Sequence, residues 1–133
     1  MSLVARIVPP APLRQGVILR DYTTWRVGGL AEWFAEPGST EEWMALLSWA
    51  AGQDMPLRCI GAGSNLLITD GQLPGLTLCS RRLQGSTLDS GEGWVEAEAG
   101  EPIPTLARKV ARAGLSGLEW SVGIPGKIGR AHV

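Results

Sequence analysis

The chain has 133 residues, a formal charge of −1 and an ordinary apolar share. That length suits one domain, or one and a fraction, with enough buried surface for a real core. The balanced charge leaves no basic stripe for nucleic acid, and no run approaches the roughly 18 apolar residues of a membrane helix. Residues 1–15 lack the continuous apolar stretch of a signal peptide. The two cysteines, Cys59 and Cys79, each lie in an apolar run and read as buried free thiols, without a disulfide-linked partner. A cytoplasmic, soluble protein is expected.

Residues 1–18, with Pro9, Pro10 and Pro12, show no period and read as a loose lead-in. Residues 21–29 end in a glycine pair and suit a turn; residues 31–36 suit a strand closed by Pro37-Gly38. The clearest helix follows. Ser39 and Glu42 form a capping box, Trp43, Leu46, Leu47 and Ala50 recur on one face, and Gly52 is the expected stop. Residues 57–60 form a short apolar strand that leads into Gly61-Ala62-Gly63-Ser64-Asn65.

Residues 66–68 are apolar and extended, residues 69–75 are turn-rich, residues 76–79 suit a strand, and residues 81–93 read as an exposed loop. Residues 94–99 alternate as a half-buried strand does. Pro102 and Pro104 open a second helix with Ile103, Leu106, Ala107, Val110 and Ala111 inward, and Gly114 ends it. Residues 116–129 are rich in glycine. The order of elements predicts a mixed α+β protein.

Two small residues between and after paired glycines let consecutive N–H groups face one side, the geometry of an anion-binding nest. The loop at 61–65 fits that pattern, although a plain strand-ending turn could carry the same residues. It is not the dinucleotide fingerprint, because Leu66 stands where a third small residue would open a helix. It is not a P-loop either, since no Gly-Lys-Ser/Thr follows. A second cluster, Gly123-Ile124-Pro125-Gly126, reads alone as a tight surface turn. Two such loops in one small domain suit a flat cofactor approached by backbone twice.

These pieces resemble a known family. Thr23-Thr24-Trp25-Arg26-Val27-Gly28-Gly29, then Gly61-Ala62-Gly63-Ser64-Asn65-Leu66-Leu67, then Gly114-Leu115-Ser116-Gly117-Leu118-Glu119 with Gly123-Ile124-Pro125-Gly126 follow the order of the UDP-N-acetylenolpyruvoylglucosamine reductases. The resemblance implies a truncated FAD-binding fold of the vanillyl-alcohol oxidase / p-cresol methylhydroxylase type. Residues 19–80 would form its first subdomain and 81–126 the start of a second. It also implies FAD as cofactor, NADPH as co-substrate and a UDP-sugar as substrate, reduced to UDP-N-acetylmuramate for peptidoglycan.

Carried over by position, Gly61, Ala62, Gly63, Ser64 and Asn65 would meet the FAD pyrophosphate. Gly123, Ile124, Pro125 and Gly126 would lie along the flavin. Arg26 is as well read as a surface or structural residue, and Glu119 as structural. The family's catalytic arginine, serine and glutamate fall beyond Gly126, so no residue here is given a catalytic role and the chain by itself is expected to be inactive. Two other readings stay open: a different flavoprotein oxidase of the same superfamily, or a nucleotide-binding module without catalysis.

After Gly126 the family continues with a small hydroxyl residue and an aliphatic, whereas this chain has Lys127. The final Ile-Gly-Arg-Ala-His-Val is also the translation of ATC GGA AGA GCA CAC GTC, the start of a sequencing adapter. Residues 127–133 are accordingly expected to be a non-native tail, and His132 neither ligand nor base.

Overall fold

The computed structural model describes residues 8–129. Six strands and two α-helices run in the order β1 (Arg14–Ile18), β2 (Leu30–Ala35), α1 (Thr40–Gly52), β3 (Leu57–Ile60), β4 (Gln72–Cys79), β5 (Ser86–Asp89), β6 (Trp94–Ala97) and α2 (Ile103–Arg112). Short 3-10 turns occupy Leu19–Tyr22, Ser80–Arg82 and Glu119–Ser121. Four strands form one sheet in the order β1-β2-β4-β3, and β5 and β6 form a separate hairpin. β1 lies antiparallel to β2, whereas β2, β4 and β3 are mutually parallel.

Both faces of the larger sheet are covered, by different means. On one face α1 packs Leu46 and Ala50 onto Ala35, Leu76 and Leu78, with Trp43 and Leu47 beside them. On the other, Leu19, Ala31, Phe34, Ile60 and Cys79 form a second cluster, flanked by Tyr22, Leu66 and Ile68. Alternation along β4 explains the split, since Leu76 and Leu78 face α1 while Cys79 faces away. On β2 the register shifts between Ala31 and Trp33, which lets Ala31 and Phe34 meet the same cluster although they are three residues apart.

The helix signals hold, with three adjustments. Ser39 caps α1, its Oγ accepting the Glu42 N–H at 3.2 Å. The Glu42 carboxylate, however, accepts from Gly38 N–H at 2.8 Å, one residue before the cap. Gly52 is inside the last turn; the left-handed position is Asp54, at φ 51°. Its N–H reaches Ala51 O and that of Met55 reaches Ala50 O, the paired bonds of a Schellman cap. α2 closes identically through Gly114 and Leu115, with Gly114 in the left-handed place. Ile103, Leu106, Ala107 and Val110 are buried as expected, but Ala111 is exposed.

Three strand readings change. Residues 14–18, taken as lead-in, are β1, recruited by pairing with β2. The expected loop at 81–93 contains β5, which pairs with β6 across a turn where Asp89 Oδ1 accepts the N–H groups of Gly91 and Glu92. β4 starts at Gln72, inside the turn-rich stretch, while residues 66–68 are in no strand. Parallel β3 and β4 cannot be joined by a tight hairpin. Residues 61–71 must therefore return along the sheet, and Leu66 and Ile68 pack on it as they do so.

The hairpin is tied to the remainder by polar contacts. Lys109 of α2 donates to Ser86 Oγ at 2.8 Å, and the buried Glu101 carboxylate accepts from Gly85 N–H at 2.7 Å. Residues 126–129 fold back here: Ile103 N–H donates to Gly126 O, Ile128 N–H to Glu101 O and Gly129 N–H to Ala99 O. Lys127 pairs with Pro102 as an isolated bridge.

Candidate functional site

The glycine loop leaves β3 at the carboxyl end of the parallel strands, the place where open α/β sheets hold ligands. Its position is enforced from two sides. Cys79, buried in β4, donates its thiol to Gly61 O at 3.8 Å, and burial pushes that thiol's pKa up, keeping it protonated as a donor. Opposite, Gly63 adopts φ 69°, and a Cβ there would stand 1.9 Å from Tyr22 O. Only glycine fits both the dihedral and the space. Gly63 O in turn accepts the Thr24 N–H at 3.0 Å.

The brace that presses on Gly63 is itself locked. Thr23 is buried, and its hydroxyl donates to Val27 O at 3.0 Å while accepting Val27 N–H at 3.3 Å. The turn forces Arg26 into the left-handed region at φ 53° and leaves its side chain exposed. A surface place for Arg26 agrees with the sequence reading; the supporting work of Tyr22 and Thr23 was missed. The signal was present in the hydroxyl at Thr23, four residues before Val27 and next to a glycine pair.

Residues 59–66 line a cleft of about 190 Å³ together with Gly126, Lys127 and Gly129. The N–H groups of Ala62, Gly63, Ser64 and Asn65 donate to no acceptor among the described residues. No carboxylate lines the cleft. Unpaired donors, no negative charge and one lysine suit an anion. The volume is below the roughly 300–1,000 Å³ that encloses a drug-sized ligand, so the cleft suits a small anionic group and not a large molecule.

The second glycine segment meets this cleft at one residue. Gly126, at φ 125°, lines it, and its carbonyl is held by the Ile103 N–H at 3.1 Å. Gly123, Ile124 and Pro125 do not line it; they follow the turn at Glu119–Ser121, with Ile124 N–H donating to Ser121 O at 3.1 Å. Glu119 accepts the Gly117 N–H at 2.7 Å, and hydrogen bonds from its own backbone N–H and that of Gly117 hold its carboxyl below the ordinary range.

Cys59 departs from expectation. It is exposed and borders the cleft, because β3 is the edge strand and has a neighbour on one side alone. Both cysteines are free. Among the described residues there is no cluster of His, Cys, Asp and Glu able to hold a metal ion, and no helix long and apolar enough to cross a membrane. His132 lies outside the described residues.

Comparison with known proteins agrees with this geometry. The chain is 64% identical over 121 residues to the UDP-N-acetylenolpyruvoylglucosamine reductase of Synechococcus sp. (strain RCC307), an alignment covering 91% of the chain and 40% of that relative. It is similar to the crystal structure of the Thermus caldophilus reductase, with a TM-score of 0.64 and 38% identity over 88% of the chain and 40% of that structure. The chain thus spans about 40% of the length of the reductases it matches. The 6-hydroxy-D-nicotine oxidase of Arthrobacter nicotinovorans shares the fold, with a TM-score of 0.60 at 14% identity over 85% of the chain and 26% of the oxidase. The architecture is the FAD-binding fold of the vanillyl-alcohol oxidase / p-cresol methylhydroxylase type. A model of the FAD binding domain matches residues 31–131, most of the chain, and the protein belongs to that family.

Proposed function

We propose that this chain is the flavin-holding part of an NADPH-dependent reductase that converts UDP-N-acetylenolpyruvoylglucosamine to UDP-N-acetylmuramate in the cytoplasm. One observation carries the reading. Consecutive N–H groups without acceptors line a cleft in a chain 64% identical to such a reductase. In this reading Ala62, Gly63, Ser64 and Asn65 bind the FAD pyrophosphate through their backbone, Gly61 gives the cofactor room, and Gly126 closes the far side. Gly123, Ile124 and Pro125 lie further along, towards the flavin. FAD, when bound, supplies the hydride relay; this chain's residues hold and orient it. The substrate is a UDP-sugar, and neither nucleic acid nor a membrane takes part.

Two measurements test the proposal. The purified chain titrated with FAD should quench flavin fluorescence saturably. The chain joined to the remaining length of a matching reductase should oxidise NADPH only when the enolpyruvyl substrate is supplied. NADPH oxidation indifferent to that substrate, or reduction of oxygen with an alcohol as donor, would transfer the assignment to an oxidase of the same fold.

A further inference from the structure

We propose that Arg81 is a positioning residue for the cofactor loop: stacked on Tyr22, it keeps the Tyr22 backbone against Gly63 and so tightens the grip of residues 61–65 on FAD. The inference rests on reading that loop as the FAD pyrophosphate seat. Tyr22 is the residue whose carbonyl fills the space that a side chain at Gly63 would need. Its ring is held on several sides. The Arg81 guanidinium lies 4.8 Å from the ring centroid, and the Phe34 ring lies at 4.6 Å with a tilt of 47°. Arg14 donates to the phenol oxygen at 2.8 Å and lies over Phe34 at 4.9 Å.

Of these holders, Phe34 is fully buried in the core, and Arg14 is committed to Glu36 at 3.2 Å. Arg81 is half-buried and has no salt-bridge partner among the described residues. A guanidinium is planar and weakly hydrated, so the face of Tyr22 is a favourable place for its charge. The root of Arg81 is fixed as well: it sits in the 3-10 turn after β4, and its carbonyl accepts the Gln84 side-chain amide at 2.8 Å. Two residues earlier, Cys79 donates to Gly61 O. One strand end thus sets both sides of the loop, Gly61 directly and Gly63 through Tyr22. The route from Arg81 ends in the bond from Thr24 N–H to Gly63 O, 3.0 Å long and two residues past the ring. Arg81 is not among the residues lining the cleft, so its effect on FAD passes through Tyr22.

The test titrates FAD into the full chain and its Arg81→Met, Tyr22→Leu and doubly substituted variants, well below the melting temperature. Arg81→Met should weaken FAD binding about threefold, the scale of a partly exposed cation–π contact. Its Thr24 amide resonance should move upfield as the bond to Gly63 O lengthens; a mere loss of stability in a chain that stays folded moves neither readout. In the Tyr22→Leu background, which lacks the ring, Arg81→Met should cause no further loss. A like loss in both backgrounds would show that Arg81 acts on FAD by its own charge, and would overturn the role given to it. An FAD affinity or a Thr24 resonance left by Arg81→Met where the parent has it would overturn that role too, with the loop assignment standing. Should Tyr22→Leu fail to fold, those two readouts of the single variant decide. No saturable FAD binding by the parent chain would overturn the reading of the loop and this inference with it.

Discussion

The segments at 61–65 and 123–126 have similar glycine-rich compositions, but they are held in place differently. The first is clamped between a strand of the sheet and a turn outside it: Cys79 grips Gly61 from β4, and the turn at Tyr22 and Thr23 presses on Gly63. The second hangs from a 3-10 turn on one side and from the first N–H of α2 on the other. An added Cβ at Gly63 has no room, whereas at Gly123 it meets nothing within 4 Å. Glycine is thus a requirement of the fold in one segment. In the other, Gly126 is required by its φ of 125°, and only at Gly123 must any requirement come from what binds there.

Gly63→Ala tests the clamp most severely. It forces a side chain into Tyr22 O and into a left-handed backbone at once, and should cost about 3 kcal/mol or more. A large drop in melting temperature together with loss of FAD binding is expected. A melt within a few degrees of the parent would show that the loop is not braced by the 22–23 turn.

Thr23→Val leaves Gly63 alone and removes the lock behind it. The Val27 N–H and carbonyl lose their hydroxyl partner, a loss of about 1–2 kcal/mol for a buried polar pair that water can partly reach. FAD affinity should fall with it, because the turn relaxes away from the loop. An unchanged affinity in a destabilised protein would separate the brace from the binding role.

Gly123→Ala sharpens the contrast from the other side. With open space and an unstrained backbone, it should shift stability by no more than about 0.5 kcal/mol. If flavin passes over this segment as proposed, FAD affinity still drops several-fold while riboflavin and FAD suffer alike. An Ala variant that binds both as the parent does would remove residues 123–125 from the cofactor site.

What the sequence could disclose follows the same division between local and long-range causes. α1 was legible because Ser39, Glu42 and the spacing of Leu46 and Ala50 are local instructions. Its stop was misplaced at Gly52 because Asp54, a residue that tolerates left-handed backbone, took the position glycine usually fills. β1 was hidden among prolines, and its strand character comes from β2, twelve residues beyond its end. β5 is mostly polar, with Ser86, Thr87 and Asp89, so no apolar alternation marked it. The glycines at 61–65 marked a loop that a plain strand-ending turn could equally explain, and Lys127 and Cys59 joined it only through the fold. Neither has a motif, and the one is brought by a bridge to Pro102, the other by its place on an edge strand.

The smallest expected effect concerns the turn that carries the second segment. Glu119 is fully exposed, yet hydrogen bonds from its own N–H and that of Gly117 keep its carboxyl below the ordinary range. A folded value below the unfolded one means the interaction stabilises at pH above the ordinary carboxylate range and is lost as pH falls through the lowered value. At neutral pH the bond is fully present, and its exposure keeps its contribution small. The Gly117 amide resonance should therefore titrate with a midpoint below that of an unperturbed glutamate, and Glu119→Gln should abolish the titration without moving the melting temperature. A midpoint at or above the ordinary value would mean that Glu119 does not hold the turn, and that the bonds of Ile124 N–H to Ser121 O and of Ile103 N–H to Gly126 O hold the second segment without its help.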